Sequence, residues 1–119
     1  MKHVLILEDE SLIRQSITYA VIKGGYSVTT TGGLEEAEYI SGSGRYDLVI
    51  MDLSLRNIAN GLQLISGIKR LSPNTKIMVI TAHLEDEMQE AVSHHDIDAF
   101  HTKPFEMEVL KNSIKRLLR

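Results

Sequence analysis

Five short hydrophobic runs punctuate the chain, at His3–Leu7, Tyr26–Thr30, Asp47–Met51, Lys76–Ile80 and Ile97–His101. The first, third and fourth contain Val-Leu-Ile-Leu, Leu-Val-Ile-Met and Ile-Met-Val-Ile without polar alternation, which predicts strands covered on both faces. The second and fifth are shorter and more polar, as edge strands are. Helical spacing fills the intervals. Ile13, Ile17, Ala20 and Val21 share one face after a cap at Glu10 or Ser11, and Gly24-Gly25 stops that helix. Leu34, Ala37 and Ile40 predict a second helix, ended by Ser41-Gly42-Ser43-Gly44, and Leu62, Ile65, Ile68 and Leu71 a third, ended by Ser72-Pro73-Asn74. A fourth spans Leu84–His94 with a thin stripe of Met88, Ala91 and Val92; Met107, Leu110, Ile114 and Leu117 mark a fifth.

This strict (βα)5 alternation predicts an α/β fold, a doubly wound parallel five-stranded sheet with helices on both faces. The pattern leaves the order of the strands open. At 119 residues the chain is expected to form one domain, 1–119, large enough to fold without a disulfide or metal staple. It contains no cysteine, which removes disulfide scaffolds, thiol nucleophiles and Fe–S ligation. No apolar run approaches the ~20 residues of a membrane span. Glu8, Asp9 and Glu10 also cut short the apolar start that might otherwise pass for a secretion signal. The expected location is cytoplasmic, with no membrane contact. A net charge of −3 argues against direct nucleic-acid binding. The basic cluster Lys111, Lys115, Arg116 and Arg119 fits the C-terminal end of a helix dipole.

Function in an open parallel sheet sits beyond the carboxyl ends of its strands. The residues expected there are Glu8 and Asp9 after the first strand, Asp52 after the third, Thr81-Ala82 after the fourth and Lys103-Pro104 after the fifth. Singly, each has a plain structural role: a helix cap, a turn aspartate, a β-branched strand end, a surface lysine. Together they place three carboxylates, a hydroxyl and an ammonium on one rim. Clustered carboxylates repel unless a cation joins them, and Lys103 supplies only one positive charge. The deficit suits a hard divalent ion with oxygen ligands, Mg2+. A carboxylate beside such an ion, with a hydroxyl and an ammonium to hold phosphoryl oxygens, can attack phosphorus.

The runs Val4-Leu5-Ile6-Leu7-Glu8-Asp9-Glu10, Leu48-Val49-Ile50-Met51-Asp52-Leu53, Ile80-Thr81-Ala82 and Phe100-His101-Thr102-Lys103-Pro104-Phe105 resemble the receiver domain of two-component response regulators, chemotaxis regulators among them. The resemblance covers the whole chain. It implies the flavodoxin-like strand order 2-1-3-4-5. It also implies a signalling switch in which Asp52 accepts a phosphoryl group in a Mg2+-dependent reaction, from a sensor histidine kinase or a histidine phosphotransfer protein. Asp9 and Asp52 would ligate the ion directly, Glu8 mostly through water, and the Ser54 carbonyl would complete the protein ligands. Thr81 and Lys103 would hold phosphoryl oxygens, and Ala82 would keep the entrance open with His83 at its border. Phe100 would swing inward as Thr81 moves, and the Lys103–Pro104 bond would be cis. The chain would catalyse only its own phosphoryl transfer and autodephosphorylation. Its further partners would be a downstream effector domain or protein and a second copy, through the fourth helix, fifth strand and fifth helix.

Several positions depart from the family pattern. Glu8 stands where Asp is commoner, Leu55-Arg56-Asn57 lacks the usual Pro with Gly61 one residue late, and Asp96-Ile97 replaces a Gly-Ala pair. Ala99 lacks the second acid of a common dimerising subfamily. Of the five histidines, His3, His83, His94, His95 and His101, none is spaced as part of a metal site, and His94-His95 point apart on a helix. One rival reading is a degenerate receiver used only for docking or dimerisation, which the intact acids, Thr81 and Lys103 oppose. A dehalogenase-type phosphatase needs a second Asp where Ser54 stands. A flavodoxin-like cofactor binder would have its phosphate repelled by Glu8-Asp9-Glu10.

Overall fold

The computed structural model describes residues 1–32, 45–53, 58–82 and 97–119, with the side chains of 58–60 set aside. The helices expected around Leu34–Ile40 and Leu84–His94 lie outside the described residues, as do Ser54, His83, His94, His95 and Asp96. The described elements are β1 (His3–Leu7), α1 (Ser11–Lys23), β2 (Ser27–Thr31), β3 (Leu48–Asp52), α2 (Ile58–Leu71), β4 (Lys76–Thr81), β5 (Ala99–Thr102) and α3 (Met107–Leu117). All five strands are parallel, in the order β2-β1-β3-β4-β5. That is the order the family resemblance implied.

The unalternating central strands have a direct explanation. Leu5 and Leu7 of β1, Val49 and Met51 of β3, and Ile77 and Val79 of β4 join Leu62, Leu64, Ile65 and Ile68 of α2 in one core. The residues between them, Val4, Ile6, Leu48, Ile50, Met78 and Ile80, pack with Ile17 and Val21 of α1 and Leu110 and Ile114 of α3 in a second core. Each face of the sheet therefore has its own helical cover, and both parities of each strand must be apolar. Every one of these central-strand side chains is fully buried. Burial of a Leu or Ile contributes roughly 1.5–3 kcal/mol, so the sheet's middle contributes heavily to stability. β2 and β5 are only half-buried along most of their length, as edge strands should be.

The strand boundaries shift by a residue or two from the sequence expectation, and two aspartates explain part of the shift. The Asp47 carboxylate accepts the His3 backbone N–H at 2.8 Å, and the Asp98 carboxylate accepts that of Ile77 at 2.8 Å. Each side chain occupies a neighbouring strand's donor, so β3 and β5 begin only after these residues. At the other end, Asp52 and Thr81 are the last residues of β3 and β4 rather than the first residues beyond them. The helices also depart in detail. Leu71 is 70% exposed and does not belong to the buried stripe of α2. Leu118, beyond α3, is buried and extends the second core. α1 ends where expected, and Gly25 adopts φ +89°, a conformation that costs a residue with a Cβ but not glycine. Lys115 and Arg116 lie in the last turn of α3, where their positive charge complements the negative end of the helix dipole.

Candidate functional site

Parallel strands all end on the same edge of the sheet. β1 therefore delivers Glu8, β3 Asp52, β4 Thr81 and β5 Lys103 to one rim, although Glu8 and Lys103 are 95 positions apart in sequence. Backbone bonds carry the sheet pairing to this edge: Glu8 N–H donates to Thr31 O at 3.1 Å, Leu53 N–H to Ile80 O at 2.9 Å, and Lys103 N–H to Thr81 O at 2.7 Å. Arg14 of α1 ties down the Glu8 carbonyl, donating from Nη1 at 2.7 Å. The peptide bond between Lys103 and Pro104 is cis, as the resemblance implied.

Lys103 is the hub. Its Nζ lies 2.9 Å from Asp52 Oδ2, 3.0 Å from Glu8 Oε1 and 3.0 Å from Glu10 Oε1. The Glu8 and Asp52 side chains are 0% and 1% exposed, whereas that of Glu10 is 61% exposed. Asp9 is exposed, and carboxylate oxygens of Glu8, Asp9, Glu10 and Asp52 all lie within 4.8 Å of one another. Thr81 is fully buried at the end of β4, and exposed Ala82 follows it. Phe100, half-buried on β5, sits opposite Val79 of β4 and packs against the core shared with α2.

These charges act strongly on one another. Burial pushes the Glu8 carboxyl up to about 7, aided by the nearby Asp52 charge and opposed by hydrogen bonds from the Glu10 backbone and Lys103. Burial also disfavours the Lys103 ammonium, but its bonds to Asp52, Glu8 and Glu10 outweigh that and hold its pKa above the ordinary lysine value. Glu8 Oε2 is buried and has no hydrogen-bond partner among the described residues. An orphaned buried carboxylate oxygen, set among three further carboxylates, is the environment a hard cation satisfies. The residues present fit Mg2+.

The raised Glu8 pKa has a consequence for metal-free stability. A carboxyl that ionises at about 7 in the fold and at 4.5 in a free chain favours folding when protonated. That contribution is fully present below pH 4.5 and is lost as pH rises through about 7. In urea titrations of metal-free protein, stability should decline across this window in wild type and far less in Glu8→Gln. An equal decline in both proteins would place the titrating group elsewhere.

A search of known families identifies residues 4–115 as a response regulator receiver domain. The chain belongs to that family. As a receiver it is the phosphoryl-accepting switch module of response regulators. Among curated relatives, the transcriptional regulatory protein PmrA of Pectobacterium parmentieri is 31% identical over 118 residues, covering 98% of this chain and 52% of that protein. The DNA-binding transcriptional regulator NtrC of Azospirillum brasilense is 32% identical, over 97% of this chain and 24% of that protein. The receiver thus spans from about a quarter to about half the length of these two relatives. Among solved structures, the Thermotoga maritima response regulator TrrA in complex with Mg2+ and BeF is 32% identical, with TM-score 0.80 over 99% of this chain and 100% of that one. A CheY-like receiver domain protein from Methanospirillum hungatei superposes with TM-score 0.90 at 24% identity, covering 99% of this chain and 94% of that one, a likeness of fold.

In the sequence Glu10 reads as a helix cap and as part of an acidic run that ends the first strand and repels phosphate. In the receiver it is the N-cap of α1 but makes no side-chain cap bond, because its carboxylate turns to Lys103. The available signal was the spacing: Glu8 and Glu10 stand two positions apart, and both carboxylates reach the same ammonium. Both described histidines make side-chain hydrogen bonds to hydroxyls. His3 Nε2 meets Thr29 Oγ1 and His101 Nε2 meets Ser113 Oγ, each at 2.8 Å. Among the described residues no helix is long and apolar enough to cross a membrane.

Proposed function

We propose that this receiver is switched by phosphorylation of Asp52, with the phosphoryl group taken from a sensor histidine kinase or a histidine phosphotransfer protein in the cytoplasm. The observation that carries this reading is the Asp52–Lys103 pair, held at 2.9 Å inside the acidic rim. An Asp52 oxygen attacks phosphorus, the bond from phosphorus to the donor's imidazole nitrogen breaks, and that nitrogen leaves with the electron pair. Lys103 follows the charge onto a phosphoryl oxygen, and the Thr81 hydroxyl donates to another. Asp9, Asp52, Glu8 and the Ser54 carbonyl would hold Mg2+, which supplies neutralisation of the phosphoryl and carboxylate charges. Ala82 leaves the approach unobstructed, and His83 follows it in the chain. Water later hydrolyses the acyl phosphate, so the chain turns over its own phosphate and no separate substrate. A module used only for docking would have no need of a half-buried lysine clamped to a buried aspartate.

The output is a change in the face presented to an effector domain or protein, with a second copy as a further partner through the fourth helix, β5 and α3. Direct contact with nucleic acid or membrane forms no part of this function. In the presence of Mg2+, a small acyl phosphate should phosphorylate the wild-type chain, and chelation by EDTA should abolish the reaction. Failure of the wild type to take up phosphate would overturn the proposal. Titration calorimetry with Mg2+ or Mn2+ should show Asp9→Ala losing roughly tenfold or more in affinity, since even outer partners of metal ligands are worth that much. Glu8→Gln should lose less. Equal affinity in wild type and Asp9→Ala would remove Asp9 from the ligand set.

A further inference from the structure

We propose that Glu10 is a latch on Lys103, occupying the ammonium's third donor in the resting receiver and letting go before Lys103 can hold a phosphoryl oxygen. The inference rests on the phosphoacceptor reading of Asp52. A lysine ammonium has three N–H donors, and among the described residues Lys103 has three carboxylate partners, Asp52 at 2.9 Å and Glu8 and Glu10 at 3.0 Å each. A phosphoryl oxygen can therefore be accepted only by releasing one of them.

The three are not equally easy to release. Glu8 is wholly buried and its second oxygen already lacks a partner, so losing Lys103 would leave a buried charge still less compensated. Asp52 is the group that carries the phosphate, and keeping it close keeps Lys103 beside the new oxygens. Glu10, 61% exposed, is the one carboxylate of the three that water can take over at once. Its backbone is held independently of its side chain. Glu10 N–H donates to Glu8 Oε1 at 3.0 Å, and Glu10 O accepts from Arg14 N–H at 2.9 Å. The side chain can thus be exchanged without loosening the start of α1. Glu10 acts through Lys103 and is a positioning residue.

A plain surface charge at this position would also slow an anionic phosphate donor, and chain length separates the two roles. Glu10→Ala removes both charge and reach, whereas Glu10→Asp keeps the charge but falls short of Lys103 by one methylene. In metal-free protein, NMR of the Lys103 ammonium should show faster proton exchange with water in both variants than in wild type. With Mg2+ and acetyl phosphate, both variants should phosphorylate faster by roughly two- to fivefold, the scale of a partly exposed ion pair. A wild-type rate in Glu10→Asp with acceleration in Glu10→Ala would reduce Glu10 to a surface charge and overturn the latch. So would unchanged ammonium exchange in both variants. If the wild type takes up no phosphate, the phosphoacceptor reading fails, and the metal-free exchange measurement still decides whether Glu10 holds Lys103.

Discussion

Incubated with Mg2+ and acetyl phosphate, the wild-type receiver should take up one phosphate on Asp52, and Asp52→Asn should take up none. An asparagine amide is neutral and has no carboxylate oxygen to attack phosphorus, so the loss is complete rather than graded. The neighbouring acids are poorly placed to substitute. Glu8 is buried, ionises only near 7 and is bonded through Oε1 to Lys103 and to the Glu10 backbone. Glu10 is drawn to the same lysine from the solvent side. Asp52 alone ends a central strand with its carboxylate both buried and on the ammonium. Intact-mass spectrometry and peptide mapping would read the outcome. Full labelling of Asp52→Asn would move the acceptor to another carboxylate and discard the assignment.

Much of this site was legible in the chain because parallel topology does the assembly. Once the unbroken runs around Leu5, Ile50 and Val79 are recognised as strands covered on both faces, their C-terminal residues must share a rim, and Glu8, Asp9, Asp52, Thr81 and Lys103 follow. What pattern could not supply is anything set by the third dimension. Glu8 and Asp9 are adjacent and chemically alike, yet one is wholly buried and the other exposed. The choice depends on where β2 and β3 flank β1. Strand order came from family resemblance, since nothing in hydrophobic periodicity says which strand is central. Asp47 and Asp98 fall within the hydrophobic runs read as strands, but each side chain takes a backbone donor of a neighbouring strand and stands just before its own. Leu71 fits the spacing of a buried stripe but is the last residue of α2 and lies 70% exposed. Glu10 was the costliest omission, because its partner lies 93 positions away.

Replacing Thr81 with alanine should leave Asp52 able to take phosphate while uncoupling that event from Phe100. Phosphorylation adds about two negative charges and three acceptor oxygens at the end of β3. Thr81 ends the adjacent strand, with Asp52 paired to Ile80, so its hydroxyl needs only a short movement to donate to one of those oxygens. That movement takes place beside β5, whose Thr102 pairs with Thr81 and whose Phe100 pairs with Val79. Phe100 is half-buried rather than locked in the core, so its ring has both an outer position and apolar surface to move onto. Close-packed interiors favour two discrete arrangements over a continuous slide. Alanine removes the hydroxyl that drives the movement but leaves Asp52, Lys103 and the acidic rim in place. NMR with beryllofluoride and Mg2+ should show a large shift of the Phe100 ring and β5 signals in wild type and a much smaller one in Thr81→Ala, with mass spectrometry confirming that the variant still phosphorylates. An undiminished shift would make Phe100 a packing residue and route the signal through other contacts of the rim.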